Sequence, residues 1–270
     1  MQRSKCIHVV GSSPRSGTTL AFELLTSCFD IAKFGDHEIS LFERPSQPLG
    51  NYVSKQPMDL VHVRRVINWD RNLHCIFMDR DPRDIVVSQH GSRPGEYWCD
   101  FPVWERNQQL IASLRDHPRV HICRYEDLVS DPNAAQARIA AAFPFLKRTH
   151  DFVDFEKVSQ SSQTAQLALK GVRQISTDSV NSWLRNLPRI AAQLRAHPHM
   201  AQAVVASGYA DSADWADICK DIAPDDTESV RARHDALRDK QGMARLIARL
   251  HRRAGSLSQE TGYVLRSLVG

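Results

Sequence analysis

Gly11-Ser12-Ser13-Pro14-Arg15-Ser16-Gly17-Thr18-Thr19 gathers glycines and hydroxyls around one cation, the composition of a loop that wraps a phosphate. In the pattern G-x-x-x-x-G-K-[ST], backbone N–H groups cradle the phosphates, the lysine reaches the β and γ phosphates, and the last hydroxyl holds Mg²⁺. Here Thr18 stands at the lysine position and a cation reappears upstream, at Arg15. The loop therefore keeps its affinity for a phosphate-like anion with its charge placed differently. The apolar run Cys6 to Val10 precedes it, and Leu20, Ala21, Leu24, Leu25 and Cys28 follow at helical spacing, so strand, loop and helix come in the order that aims a helix N-terminus at the anion. The helix dipole contributes ~0.3–1 kcal/mol and a charge-assisted bond roughly 1.5–3 kcal/mol, which makes Arg15 the residue that matters most.

A second constellation, Asp79-Arg80-Asp81-Pro82-Arg83-Asp84-Ile85-Val86-Val87-Ser88, follows the apolar run His74 to Met78. Asp81 suits an N-cap, Pro82 the first helical position and Asp84 the first turn, so folding alone explains those three. Capping requires neither Arg80, at a strand end, nor Ser88, expected two turns into the helix. An arginine and a hydroxyl converging on one small volume make a second anion site, and two such sites on neighbouring strand ends imply a ligand with two separated phosphate-like groups.

P-R-S-G-T-T followed by R-D-P-R-D-x-V-x-S resembles the paired 5′-phosphosulfate and 3′-phosphate motifs of sulfotransferases that use 3′-phosphoadenosine 5′-phosphosulfate (PAPS). Lys55-Gln56-Pro57 resembles the family's lysine-containing strand end, Arg124-Tyr125-Glu126-Asp127-Leu128 its Y-E-D-L segment, and Arg173 to Val180 with Trp183 the late segment that closes over the nucleotide. The likeness covers about residues 6 to 190. It implies that Arg15 contacts the transferring sulfuryl group, that Pro14, Ser16, Gly17, Thr18 and Thr19 cradle the 5′-phosphate, and that Arg80 and Ser88 hold the 3′-phosphate. Lys55 would add charge beside the sulfuryl oxygens, and Arg173 would serve the 3′-phosphate or the lid over it. Sulfuryl transfer disperses negative charge over equatorial oxygens and the leaving phosphate, a task for positioned cations and N–H groups that needs no metal.

The acceptor must lose a proton to a base, commonly worth about 10²- to 10⁴-fold in rate. Gly35-Asp36-His37-Glu38 and Phe42-Glu43 lie after the first helix, where glycan and tyrosylprotein sulfotransferases keep a catalytic glutamate. The histidine that small-molecule sulfotransferases carry after their lysine is replaced by Pro57. Glu38 and Glu43 are thus the candidate bases, with His37 third.

These motifs need elements to hold them. Strands are expected at Tyr52 to Lys55, His74 to Met78 and Arg119 to Arg124, and helices at Met58 to Trp69, from Pro82, at about Val103 to Asp116, and from the cap Asp131 with Pro132 to Phe143. The rhythm predicts a P-loop-type three-layer α/β/α fold with a mostly parallel sheet and ligands at the strand carboxyl ends. Glu126 and Asp127 are candidates for bracing a loop, and Tyr125 for lining the nucleotide site. Lys147 to Ser176 reads as polar and irregular, and Asp211 to Asp226 as a linker. The expected organisation is a sulfotransferase domain over 1–222 and a basic amphipathic helical extension over 223–270, where Arg231, Arg233, Arg238, Lys240, Arg245, Arg249, Arg252 and Arg253 flank an apolar stripe.

The chain has 270 residues, 42% hydrophobic, enough for a sizeable core. No apolar run spans a membrane and the first strand begins almost at once, so a cytoplasmic enzyme is expected. Its six cysteines have no metal-ligand spacing and its histidines no H-E-x-x-H, so neither disulfide framework nor metal is expected. The tail suits docking on the domain or on a partner subunit, an anionic acceptor or a membrane surface; with few aromatics to stack bases it is a poor nucleic-acid binder. The partner expected is a hydroxyl-bearing, less readily an amine-bearing, glycan, lipid or small metabolite, with adenosine 3′,5′-bisphosphate as the other product. The alternatives are a P-loop kinase or NTPase, which Thr18 and the Arg80/Ser88 site disfavour, and a non-catalytic nucleotide-binding protein of the same fold.

Overall fold

Along Cys6–Gly11, successive side chains part to opposite faces: Ile7 and Val9 enter one buried cluster, Cys6 and Val10 another. Leu73–Asp79 divides the same way, with Ile76 and Met78 on one side and Leu73, Cys75 and Phe77 on the other. A run that is apolar on both faces folds as an interior strand of a sheet covered on both sides. The computed structural model describes residues 5–43, 50–90, 93–159, 171 and 174–231. The elements are β1 (Cys6–Gly11), α1 (Thr18–Cys28), β2 (Lys33–Glu38), β3 (Tyr52–Lys55), α2 (Leu60–Val66), β4 (Leu73–Asp79), α3 (Pro82–Val86), β5 (Gln89–His90), β6 (Arg93–Tyr97), α4 (Phe101–Ala112), β7 (Val120–Arg124), α5 (Tyr125–Ser130), α6 (Pro132–Ala142), α7 (Phe155–Val158), α8 (Leu187–Ala196) and α9 (Met200–Ala206).

Five strands form one sheet in the order β2-β3-β1-β4-β7, every pair parallel. α1 and α6 pack on one face, through Phe22, Leu25 and Ile139, while α2 and α4 pack on the other, through Leu60, Val63 and Ile111. The expected three-layer α/β/α architecture is the observed one. A third cluster joins α3, α4, α8 and α9 around Trp104, Trp183 and Ile190. By its contacts the chain divides into a unit of residues 1–227 and a second of 228–270. The basic stretch beyond residue 231 lies outside the described residues.

Three expectations are corrected. α3 stops at Val86, so Ser88 lies just past the helix; Ile85, Val86 and Val87 are β-branched and hold a helix weakly, and the Ser88 carbonyl instead accepts the Trp98 N–H at the base of the β5–β6 hairpin. Asp211 to Asp226 is no linker: a 3₁₀ turn at Ala213–Cys219 buries Cys219, and Trp215 meets the Trp183 ring edge-on at 5.8 Å. Lys147 to Ser176 is not irregular throughout, because Phe152 and Phe155 anchor a 3₁₀ turn and α7 in the core.

Candidate functional site

Each motif lies at the carboxyl end of its strand, where a parallel sheet binds ligands. In sheet order these ends present Glu38 on β2, Lys55 on β3, the glycine loop on β1, Arg80 after β4 and Tyr125 after β7. With strands about 4.8 Å apart, Glu38 and Arg80 stand three spacings, or roughly 14 Å, apart.

The loop closes so tightly that only glycine fits at two of its positions. A Cβ at Gly11 would fall 2.1 Å from Ser16 Oγ, and one at Gly17 would fall 2.6 Å from Tyr125 Cδ2. Gly17, at φ 95°, turns the chain into α1. The Ser16 hydroxyl donates to Ser13 O at 2.8 Å and that of Ser13 to Pro14 O at 2.7 Å. From the sheet side, the Gly11 N–H donates to Pro57 O at 3.0 Å, tying this loop to the lysine strand end. The Ala21 N–H bonds Gly17 O, so the amides of Thr18, Thr19 and Leu20 precede the helical ladder and point out of its N-terminus. Thr18 is buried and Thr19 half-buried.

Arg15 reaches across to the second constellation. Its Nε donates to Ser88 Oγ at 3.0 Å, while Arg80 Nη1 donates to Arg15 O at 2.9 Å and Nη2 to Ser179 O at 2.6 Å. The Arg80 guanidinium also lies 4.3 Å over the Tyr125 ring. Two anion sites inferred separately are thus one connected group. Burial, and then the neighbouring Arg80 charge, lower the Arg15 pKa from its ordinary value, a like-charge contact that a bound anion relieves. Arg80 Nε is a buried donor without a partner among the described residues.

Lys55 is 1% exposed, and its Nζ lies 3.5 Å from Glu38 Oε1 across the β2–β3 register. Burial lowers the Lys55 pKa, opposed first by Glu38 and then by Glu23. Glu43 is exposed, at the end of the 3₁₀ turn Leu41–Glu43, and is not brought to Lys55. The side chain of His37 and all of Arg173 lie outside the described residues.

Behind the arginines stands a scaffold of carboxylates. Asp79 Oδ1 accepts from Gln108 Nε2 at 2.6 Å, Trp104 Nε1 at 3.3 Å and the Arg80 N–H at 2.9 Å. Glu126 Oε1 accepts the Asp81 N–H at 3.0 Å, and burial pushes the Glu126 carboxyl up to about 7. Asp84, beyond its place in the first turn of α3, accepts from Asn181 N, Ser182 Oγ and Trp183 N at 2.9 Å each, pinning the late segment to that helix. Asn107 Nδ2 donates to Ser12 O at 3.1 Å from beneath the loop. Sequence reasoning missed Asn107 and Gln108, although a polar residue on the buried stripe Val103, Trp104, Ile111 of α4 was the available signal.

No protein-family model matches the chain, and no curated protein matches it in sequence. Among solved structures, the sulfotransferase domain from the curacin biosynthetic pathway superposes with a TM-score of 0.50 at 15% identity, over 67% of this chain and 90% of that domain. The chain has a sulfotransferase fold. The sulfotransferase domain of the Synechococcus PCC 7002 olefin synthase gives a TM-score of 0.48 at 15% identity, over 76% and 96%. Mouse sulfotransferase SULT7A1, solved with PAP, gives 0.47 at 13% identity, over 82% and 88%. On this sulfotransferase fold, no helix among the described residues is long and apolar enough to cross a membrane.

Proposed function

We propose that this protein transfers a sulfuryl group from PAPS to a hydroxyl acceptor, with Glu38 as the general base. One observation carries the reading: Arg80 Nε is a buried donor without a partner among the described residues, beside Arg15 and the glycine loop. An orphaned buried cation donor is costly unless a ligand completes it, and two neighbouring arginine charges that repel each other favour a polyanion. The residues therefore fit the nucleotide. Arg80 and Ser88 would hold its 3′-phosphate; Ser16, Gly17, Thr18 and Thr19 would hold the 5′-phosphate, with Arg15 and Lys55 over the oxygens that gain charge.

PAPS supplies an activated sulfur: the acceptor oxygen bonds to it as the sulfur–oxygen bond to the 5′-phosphate breaks, and the acceptor proton passes to a carboxylate. Glu38 is favoured over Glu43 because Lys55 holds it at the strand ends, whereas Glu43 faces solvent. ATP-dependent phosphoryl transfer is less well served, since Thr18 replaces the loop lysine and Asp79, the carboxylate ending β4, is taken up by Trp104, Gln108 and the Arg80 amide. The acceptor class, a hydroxyl-bearing glycan, lipid or small metabolite, belongs to the same proposal.

Calorimetric titration of the full chain with adenosine 3′,5′-bisphosphate, ADP and ATP, each with and without Mg²⁺, tests the reading. Metal-independent binding of the bisphosphate in preference to ADP and ATP is expected. Preference for ATP with Mg²⁺ would overturn it.

A further inference from the structure

Glu38 ends an edge strand. Among the described residues β2 pairs on one side only, and its register with β3 shifts between Phe34 and Glu38. The last residue of such a strand frays unless something ties it down. The chain beyond it is tied at three successive residues. The Ile39 N–H donates to Lys55 O at 3.0 Å, Ser40 Oγ donates to Asp59 Oδ2 at 3.2 Å, and the Leu41 N–H donates to the same oxygen at 2.7 Å.

Asp59 is 7% exposed and is itself held from within the sheet. The fully buried His8 of β1 places Nε2 at 3.4 Å from Asp59 Oδ2 and Nδ1 at 2.8 Å from Ser54 Oγ, and Ser54 immediately precedes Lys55. His62 Nε2 lies 3.8 Å from Asp59 Oδ1. Burial by itself would raise the Asp59 pKa, but the bonds from His8 and Leu41 outweigh it and hold the carboxyl below its usual value. The Ser54-His8-Asp59 order has the look of a hydrolase relay. Ser54 is fully buried, however, and offers a substrate no hydroxyl. The chain of bonds therefore works inward, joining β1, β3 and α2 to the turn after β2.

We infer that Asp59, backed by His8, is a positioning residue that holds Glu38 against Lys55 by anchoring Ser40 and Leu41. Its consequence for turnover rests on the sulfuryl-transfer reading; its geometry does not. The bonds of Asp59 run to Ser40 and Leu41, so its influence on the Glu38–Lys55 pair runs through the turn.

The test reads the geometry and the rate separately, on the full chain. Lys55 faces Glu38 and Glu23, and Asp59 faces His8 and His62. In the nucleotide-free protein, the Lys55 amine is titrated by NMR in wild type, Asp59→Ala, Glu38→Gln and the double variant. If Asp59 acts through Glu38, Asp59→Ala lowers the Lys55 pKa in the wild-type background and leaves it unmoved in the Glu38→Gln background. An equal shift in both backgrounds, or none in either, would overturn the inference. In turnover, Asp59→Ala is expected to lower kcat by roughly ten- to a hundredfold, as an ångström-scale misplacement does, with bisphosphate affinity retained. Parallel loss of kcat and nucleotide affinity would mark a merely structural role and count against the inference. Asp59→Asn keeps an acceptor oxygen for Leu41, so it should retain more activity; it carries the same test should the alanine variant fail to fold. If wild type transfers no sulfuryl group, the proposed function falls while the Lys55 titration still decides the tether.

Discussion

The two corners of the site are built differently. The Arg15/Arg80/Ser88 corner rests on the interior strands β1 and β4, and its cations are braced from behind by Glu126, Asp84, Asp79 and Asn107. The Glu38/Lys55 corner has one interior member, Lys55 at 1% exposure, and one on an edge strand with its carboxylate partly in solvent. On the proposed function, rigid support serves the bound polyanion. On the proposed function the looser edge would receive the acceptor, and there the proposed Asp59 tether would restore the precision that an edge strand lacks.

Breaking that division of labour gives the largest expected effect at the edge. Glu38→Gln should lower kcat by about 10²- to 10⁴-fold, the usual worth of a general base, with the calorimetric affinity for adenosine 3′,5′-bisphosphate unchanged; equal weakening of nucleotide binding would erase the distinction between the corners. Arg80→Ala should do the converse. Losing a charge-assisted contact worth roughly 1.5–3 kcal/mol weakens bisphosphate binding about ten- to a hundredfold, read by the same titration, and a change confined to kcat would contradict the assignment.

The smallest effect sharpens the comparison through stability. Burial raises the folded-state pKa of Glu126 from 4.5 to about 7. A group so raised contributes its full stabilisation below its unfolded pKa, and that contribution is lost as pH climbs through the folded value. Wild type should therefore lose stability relative to Glu126→Gln between about pH 4.5 and 7, as measured by denaturant unfolding across that window. Parallel curves for the two proteins would show that Glu126 ionises without penalty where it stands.

Much of this architecture is legible in the sequence because interior strands declare themselves. Tyr52–Lys55 appears where its pattern places it, and β1, β4 and β7 differ from expectation by only a residue or so. Asp131 caps α6 through a 3.0 Å bond from the Ala134 N–H, as the Asp-Pro pair foretells. The edge strand is another matter. Lys33-Phe34-Gly35-Asp36-His37-Glu38 has no apolar alternation, since an edge strand meets solvent and makes few demands on side chains. The expected helix through Ser88 fails for a related reason: caps mark where a helix starts, whereas its end at Val86 is set by β-branched residues and by a hairpin that only the fold assembles. Of the site, the residues placed by strand ends can be read in advance. For those placed by cross-chain bonds, such as Asn107 beneath the loop and His8 behind Asp59, an apolar stripe or run reveals that a polar residue is buried, but nothing local reveals which distant group it bridges.

Arg15 sits at φ 77°, a backbone conformation that an L-residue other than glycine enters at a cost of roughly 1–2 kcal/mol. The neighbouring Gly17 occupies the same region without penalty. On the proposed function, foldability and reactivity pull in opposite directions at Arg15. A glycine there would relax the backbone and remove the Arg15–Arg80 repulsion, leaving a chain easier to fold and poorer at holding charge. Screens of this protein for thermal robustness alone should therefore drift toward substitutions at Arg15 that silence it.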